Sequence, residues 1–236
     1  DYLIVNGSLT ATGSEASHLA LADKLLQLEA DTVGALQVIV INGQGDVNAS
    51  AFSFENGDKE SVSGITPARF KEIYADLGYD LADDTYAAGA GKAGGLSYAV
   101  KLPEGIRLIM ADTARYTSDV TEFGNTRAED GGIITDGLLN WIKAQAAQAK
   151  TDGYSPVLVS DFGLVPMNRV VESMHSAELI KNYYKLSETL ADGGIHFHIG
   201  GKVNYNDISS VISDEGEILY GIMSSALTSF PTTYRL

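Results

Sequence analysis

Aspartates, a lysine and an asparagine recur in short glycine-rich stretches of this chain, each directly after an apolar run. Asn6-Gly7-Ser8-Leu9-Thr10 follows Val5, and Asn42-Gly43-Gln44-Gly45-Asp46 follows Ile41. Ser160-Asp161-Phe162-Gly163 follows Val159, and Gly200-Gly201-Lys202-Val203-Asn204 follows Ile199. If the runs are strands of α/β sheets, loops at their carboxyl ends converge on one crevice, where such proteins hold ligands. Two chemistries compete for it. Asp46, Asp161 and Asn204 offer oxygens suited to a single hard cation such as Ca²⁺ or Mg²⁺. The backbone amides of Gly43, Gly45, Gly200 and Gly201, with Lys202, suit a small anion instead. Ordinary strand-to-helix turns use the same residue types, so one such loop says little. Four in series point to a site, present or former.

Other short patterns carry less. His196 and His198 alternate along an apolar run and could join Asp161 around a metal, but ordinary polar positions in core or surface are the favoured reading. His18 and His175 fall near expected helix starts and are expected in solvent. Gly89-Ala90-Gly91-Lys92-Ala93-Gly94 spells the dinucleotide pattern, yet polar Asp83-Asp84-Thr85 precedes it and a strand-like Leu96–Val100 follows, so it reads as a surface loop. Asp161-Phe162-Gly163 matches the kinase metal triplet with none of its companions, a coincidence. Asn6-Gly7-Ser8 and Asn48-Ala49-Ser50 are glycosylation acceptors only in a eukaryotic secretory pathway.

The elements that must position these loops are legible as alternating strands and helices. Tyr2–Val5, Leu36–Ile41, Ile106–Met110, Pro156–Val159 and Ile195–Ile199 read as strands covered on both faces. Ser17 is the expected cap of a helix carrying Leu21, Leu25 and Leu28. Thr66-Pro67 opens a second helix with Phe70, Ile73 and Leu77. Residues 135–150 form a third, and Ser176 to Leu190 a fourth that ends at Gly193-Gly194. Ile208–Ile212 and Ile218–Met223 flank Asp214-Glu215-Gly216 as a hairpin. This order is that of a layered α/β domain, and with no repeat or linker a single domain over 1–236 is expected.

Composition narrows the functions. The 236 residues suffice to hide roughly 70–75% of the unfolded surface without covalent staples. Cysteine is absent, which excludes disulfides, thiolate zinc sites and thiol nucleophiles. With 16 Lys+Arg against 31 Asp+Glu, the formal net charge of −15 repels nucleic-acid backbones and anionic membranes. No basic cluster, no signal peptide and no apolar run near the ~20 residues of a membrane span is present, so neither nucleic acid nor membrane insertion is expected. Asp1-Tyr2-Leu3-Ile4-Val5 already reads as a strand, as though the chain begins inside a fold.

The post-strand loops taken together resemble the motifs of bacterial calcineurin-like metallophosphoesterases, two-metal hydrolases of phosphate mono- and diesters. Gly7-Ser8-Leu9-Thr10 stands where the family has Gly-Asp-Leu-Thr, and Gly43-Gln44-Gly45-Asp46 where it has Gly-Asn-His-Asp. Ser160-Asp161-Phe162 occupies the place of a post-strand histidine, and Gly201-Lys202-Val203-Asn204 that of Gly-His-x-His. Leu77-Gly78-Tyr79-Asp80, Leu96-Ser97-Tyr98-Ala99-Val100 and Asn206-Asp207 also fit. The family's first strand, with its Asp-x-His motif, has no counterpart. The resemblance implies a layered α/β/β/α sandwich of two mixed sheets.

It also implies that the metal site has been dismantled. The family's ligand and proton-donor places carry Ser8, Gln44, Gly45, Asp161, Lys202 and Asn204, and Asp46 alone survives. A two-metal centre needs a bridging carboxylate and imidazoles. An ammonium about 4 Å from a divalent ion repels it by roughly 8 kcal/mol at an effective dielectric of about 20. No catalytic residue and no metal are therefore expected. The function expected is that of a natural pseudoenzyme or an engineered or altered hydrolase, serving as scaffold or binding module, with a small anion as its candidate ligand. The alternative is a metal-dependent phosphoesterase using Mn, Fe, Zn, Mg or Ca through a rebuilt site or segments absent from this chain. Family analogy and acidity lean toward a secreted or cell-surface bacterial protein. Loss of the first strand leaves ladder groups that a preceding segment, a redesigned sheet or another chain must satisfy.

Overall fold

The computed structural model describes residues 1–47, 50–88, 92–115, 131–168, 172–173 and 176–226. His175, Asn48-Ala49 and Gly89-Ala90-Gly91 lie outside the described residues. The apolar runs form strands: β1 (Tyr2–Asn6), β2 (Gln37–Ile41), β6 (Tyr98–Leu102), β7 (Ile106–Met110), β8 (Ser155–Ser160) and β9 (Phe197–Gly200). Between them lie β3 (Ser50–Ser53), β4 (Glu60–Ser63) and the short β5 (Asp84–Thr85). β10 (Asp207–Ile212) and β11 (Ile218–Met223) pair antiparallel as the expected hairpin. The helices are α1 (Glu15–Asp31), α2 (Pro67–Ile73), α3 (Asp136–Asp152) and α4 (Tyr183–Asp192).

Seven strands make a mixed sheet in the order β10-β11-β9-β8-β7-β6-β5, and β1 and β2 form a parallel pair facing it. Alternation along the strands divides the core between two faces. Leu108, Met110 and Val159 point inward to meet Val38, Ile39, Val40 and Ile41 of β2, together with Ala22 and Leu25 of α1 and Phe70 of α2. Ile109, Leu158 and Leu219 point outward beneath Leu138, Ile142 and Ala146 of α3 and Leu190 of α4. Each such buried aliphatic or aromatic side chain contributes about 1.5–3 kcal/mol, so both layers are held by burial. The architecture is the expected layered α/β sandwich, with a narrow second sheet.

Helix ends follow local chemistry. Thr66 caps α2 by accepting from the Arg69 amide, and Pro67 sits in the first turn, as the sequence indicates. Thr135 caps α3, which ends at Gly153 in the left-handed region (φ 80°). Three expectations are corrected. α2 ends at Ile73, so Leu77, at φ −120° and ψ 51°, lies outside it. Ser14, not Ser17, caps α1, its hydroxyl accepting from the Ser17 amide at 3.3 Å. The helix expected from Ser176 to Leu190 is broken: Ser176–Glu178 is one 3₁₀ turn, and α4 starts only at Tyr183. Between them Leu179 and Ile180 bridge to Gly163 and Gly132, and Asn182 takes φ 60°. The β3–β4 hairpin was not foreseen, because β4 is exposed along its length and has no buried stripe.

Candidate functional site

Glycines bring the ends of β1, β2, β8 and β9 together. A Cβ on Gly201 would lie 2.7 Å from the Asn6 carbonyl oxygen, and one on Gly43 would lie 2.3 Å from the Ser8 amide nitrogen. The Asn6 side chain fastens this junction, donating to the Ser160 carbonyl at 3.0 Å and accepting from the Ser224 hydroxyl at 3.1 Å.

Asp46 is fully buried and ties two loops to each other. Its carboxylate accepts from the amides of Gly43 (2.8 Å), Leu9 (3.0 Å) and Thr10 (3.0 Å). Burial raises its pKa, while those amides and Lys202 oppose the rise. Both of its oxygens are thus engaged within the protein.

Asp161 occupies the centre of the mouth. One carboxylate oxygen accepts from the Gln44 amide at 3.1 Å and lies 3.8 Å from the Lys202 ammonium. The other, Oδ1, is buried with no hydrogen-bond partner. The side chain fits only because Gly7 and Gly43 flank it: added Cβ atoms there would come within 2.1 and 2.6 Å of its oxygens. Burial pushes the carboxyl up to about 6, with Lys202 and the Gln44 amide pulling the other way and Asp46 adding to the rise. The Asp161 carbonyl also receives the amides of Gly201 (2.9 Å) and Lys202 (2.7 Å). Lys202 is half-buried, and its ammonium lies over the Phe162 ring at 5.3 Å.

Gln44 acts as a brace rather than a ligand. Its side-chain amide donates to the Arg115 carbonyl at 2.8 Å and accepts from the Arg115 amide at 2.7 Å. Ser8 is exposed at φ 48°, and exposed Asn204 at φ 57° closes a turn by donating its amide to the Gly201 carbonyl. Gly45 is exposed, and a Cβ there would meet nothing within 4 Å. Gly200 is packed: its Cβ would lie 2.9 Å from the His198 ring. Asp46, Asp161 and Lys202 therefore share one mouth. The amides of Gly43 and Gly201 already donate to Asp46 and Asp161, so an anion held by them would have to displace those bonds.

A fifth post-strand loop was missed. Asp112 follows β7 and accepts from the side chain of Asn42 at 2.9 Å and from the amides of Ala114 and Leu96, both at 3.2 Å. A polar pair, Asp112-Thr113, one residue beyond Ile106–Met110 was the available signal.

The described histidines are placed individually. His198 is fully buried: Ser160 donates its hydroxyl proton to the Phe162 carbonyl, so His198 Nε2–H donates to Ser160 Oγ at 2.9 Å, leaving Nδ1 without a partner. Burial pushes its pKa down to about 3, and the ring is neutral. His196 is half-exposed, bonded to the Ile218 carbonyl and 3.9 Å from Glu217. His18, expected in solvent, is instead fully buried, with Nδ1 2.9 Å from the Tyr74 hydroxyl and Nε2 3.1 Å from the Asp46 carbonyl. Capping at Ser14 places it a full turn into α1, on the side facing Phe70 and Tyr74.

The donor set does not fit a two-metal centre. Among the described residues no three of His, Asp or Glu are grouped to hold a metal, and the one buried carboxylate with an unpartnered oxygen, Asp161, has an ammonium beside it. No described helix is long and apolar enough to cross a membrane. No family model and no curated protein matches the chain. Among solved structures, a dimetal phosphatase from Danio rerio is similar with a TM-score of 0.57 and 12% identity, over 98% of this chain and 74% of that one. The likeness is one of fold.

Proposed function

We propose that this metallophosphoesterase-like fold serves as a non-hydrolytic scaffold or binding module, a natural or altered pseudoenzyme. The observation that carries this reading is the Asp161–Lys202 pair at the mouth of the sheets, with its nitrogen-to-oxygen distance of 3.8 Å. The ammonium supplies internally the positive charge that a bound cation would bring. A divalent ion entering beside it would meet like-charge repulsion. No proton donor occupies position 45, where glycine stands in open space. An acidic bacterial protein, secreted or at the cell surface, remains the setting proposed.

A second reading is favoured by one observation, the buried Asp161 Oδ1 with no partner. An acceptor of that kind suits a hard cation, and hydrolysis of phosphate mono- or diesters would then require Mn, Fe, Zn, Mg or Ca held with donors beyond those described. Metal analysis of the purified chain, with turnover of p-nitrophenyl phosphate and its bis ester under added Mn²⁺, separates the two. The first reading expects substoichiometric metal and turnover equal to a metal-free control. Two equivalents of metal with turnover above that control reverse the order.

A further inference from the structure

Asparagine is followed by glycine at three places in the chain, Asn6-Gly7, Asn42-Gly43 and Asn56-Gly57. Such a pair is chemically labile, because glycine has no side chain to shield its main-chain nitrogen from the neighbouring carboxamide. Ring closure requires the asparagine side chain to swing onto that nitrogen and the glycine N–H to leave its acceptor. The fold sets different conditions at each place. Asn6 is held from both sides, donating to the Ser160 carbonyl at 3.0 Å and accepting from the Ser224 hydroxyl at 3.1 Å. Gly7 beside it donates to the Ile41 carbonyl at 2.9 Å and has Asp161 packed against it. Asn42 is fully buried and donates to Asp112 at 2.9 Å, while the Gly43 amide donates to Asp46 at 2.8 Å. Neither side chain can rotate without breaking the bonds that hold the loops at the sheet mouth together.

Asn56-Gly57 lacks these restraints. Both residues are exposed in the turn that joins β3 to β4, and a Cβ on Gly57 would meet nothing within 4 Å. Gly57 takes φ 88°, in the left-handed region that favours glycine. Its N–H donates to the Phe54 carbonyl at 2.9 Å, a single bond at the surface, where water competes for both groups. Asn56 Nδ2 is shared between the two Glu60 carboxylate oxygens at 3.2 and 3.3 Å. Glu60 is exposed as well, so this contact exchanges readily with water. The strand that follows is equally accessible, since β4 is exposed along its length.

We infer that Asn56 is a modification site, deamidated spontaneously through a succinimide with solvent water as the only co-reactant. The Gly57 nitrogen loses its proton to water and bonds to Asn56 Cγ, while Nδ2 takes up a proton and leaves as ammonia. Water then opens the ring. Attack at Cγ leaves an ordinary aspartate, and attack at the main-chain carbonyl carbon leaves isoaspartate, whose backbone runs through Cγ. Either route exchanges one ammonia for one water, and nothing is oxidised or reduced. Both products set a carboxylate where an amide donor faced Glu60, so an attraction across the turn becomes a repulsion. Isoaspartate also adds one backbone atom to the loop that closes the Ser53–Glu60 pair. The modification thus loosens the hairpin tip and adds a negative charge to a chain that already carries −15. It is independent of whether the sheet mouth binds metal.

The test incubates the whole folded chain in mildly alkaline buffer and follows each Asn-Gly pair by peptide mapping and mass spectrometry. Asn56 should convert on the order of tenfold or more faster than Asn6 or Asn42, whose reaction waits on local opening of the fold. In urea the three pairs should convert at comparable rates, which assigns the selectivity to the fold and not to the dipeptide. Gly57→Ala should slow conversion on the order of tenfold, by placing a methyl group beside the attacking nitrogen. Asn56→Gln should abolish it, because the six-membered ring it requires closes far more slowly. Both substitutions fall in an exposed turn and leave the core intact. An unmodified Asn56 in a folded chain whose unfolded form converts, earlier conversion at Asn6 or Asn42, or the same selectivity in urea would overturn the proposal.

Discussion

Asp161 owes its position to two missing side chains, and the surrounding glycines are not equivalent. A Cβ on Gly43 meets the Ser8 backbone at 2.3 Å, which cannot swing aside, whereas one on Gly45 meets nothing. Gly43→Ala should therefore cost about 2–5 kcal/mol in urea unfolding, and Gly45→Ala within about 0.5 kcal/mol. Equal costs would mean that the loops do not approach as described. The carboxyl itself gives a second expectation. Its folded pKa, about 6, lies above the ordinary 3.8. A raised value means that its linked stability is complete below about 3.8 and is lost as pH rises through about 6. His198 acts oppositely: lowered from 6.5 to about 3, it contributes stability that is whole above 6.5 and is lost as pH falls through about 3. The two partly cancel between pH 4 and 6. Asp161→Asn removes one side of that balance. Relative to the parent it should gain about 1–3 kcal/mol at pH 7 over its standing at pH 4, and lose stability more steeply in acid. Parallel melting curves would contradict this.

Elements show where reading from sequence reaches its limit. The strands were legible because Val38, Ile39, Val40 and Ile41 are buried on both faces and form an uninterrupted apolar run. Thr66-Pro67 was legible because capping is a local matter. The junction between α1 and the mouth was not. Ser14 and Ser17 are both reasonable caps, and the choice turns on Thr12, whose hydroxyl lies 3.0 Å from Ser14 Oγ and 2.6 Å from Ser17 Oγ. A displacement of three residues moved His18 from the solvated first turn to the packed second. Likewise Leu179 and Ile180 fit a helical pattern, but bridges to Gly163 and Gly132, distant in sequence, draw them out of it. The mouth was legible as a set of loops, while the bracing of Gln44 on Arg115 and of Asn42 on Asp112 depends on contacts some 70 residues apart. His18 gives these contacts a measurable weight, since it holds α1 to both Tyr74 and the Asp46 carbonyl. His18→Leu leaves those buried groups without their ring partners and should cost about 2–4 kcal/mol by chemical denaturation. A cost near zero would return His18 to the solvent.

The whole molecule carries a formal charge of −15, and among the described residues only Asp46, Asp112 and Asp161 of its acids are buried. Self-repulsion of that size acts over about 30 Å at 0.01 M salt and over only about 8 Å at 0.15 M. Raising NaCl between those concentrations should therefore lift the melting temperature by about 2–5 °C, with no site involved. The same experiment distinguishes general screening from a cation at Asp161. At matched ionic strength, Mg²⁺ or Mn²⁺ should do no more than Na⁺ if Lys202 already neutralises the mouth. A specific cation adds RT ln(1 + [L]/Kd) to stability, so a further rise that grows with the logarithm of Mn²⁺ concentration would mark a bound ion. Lys202→Met should then enhance that rise, because it removes the charge opposing the ion while leaving Asp161 in place. If the divalent effect is absent in both parent and Lys202→Met, the ammonium is not what keeps cations out, and the closed geometry around Asp161, set by Gly7 and Gly43, becomes the physical barrier.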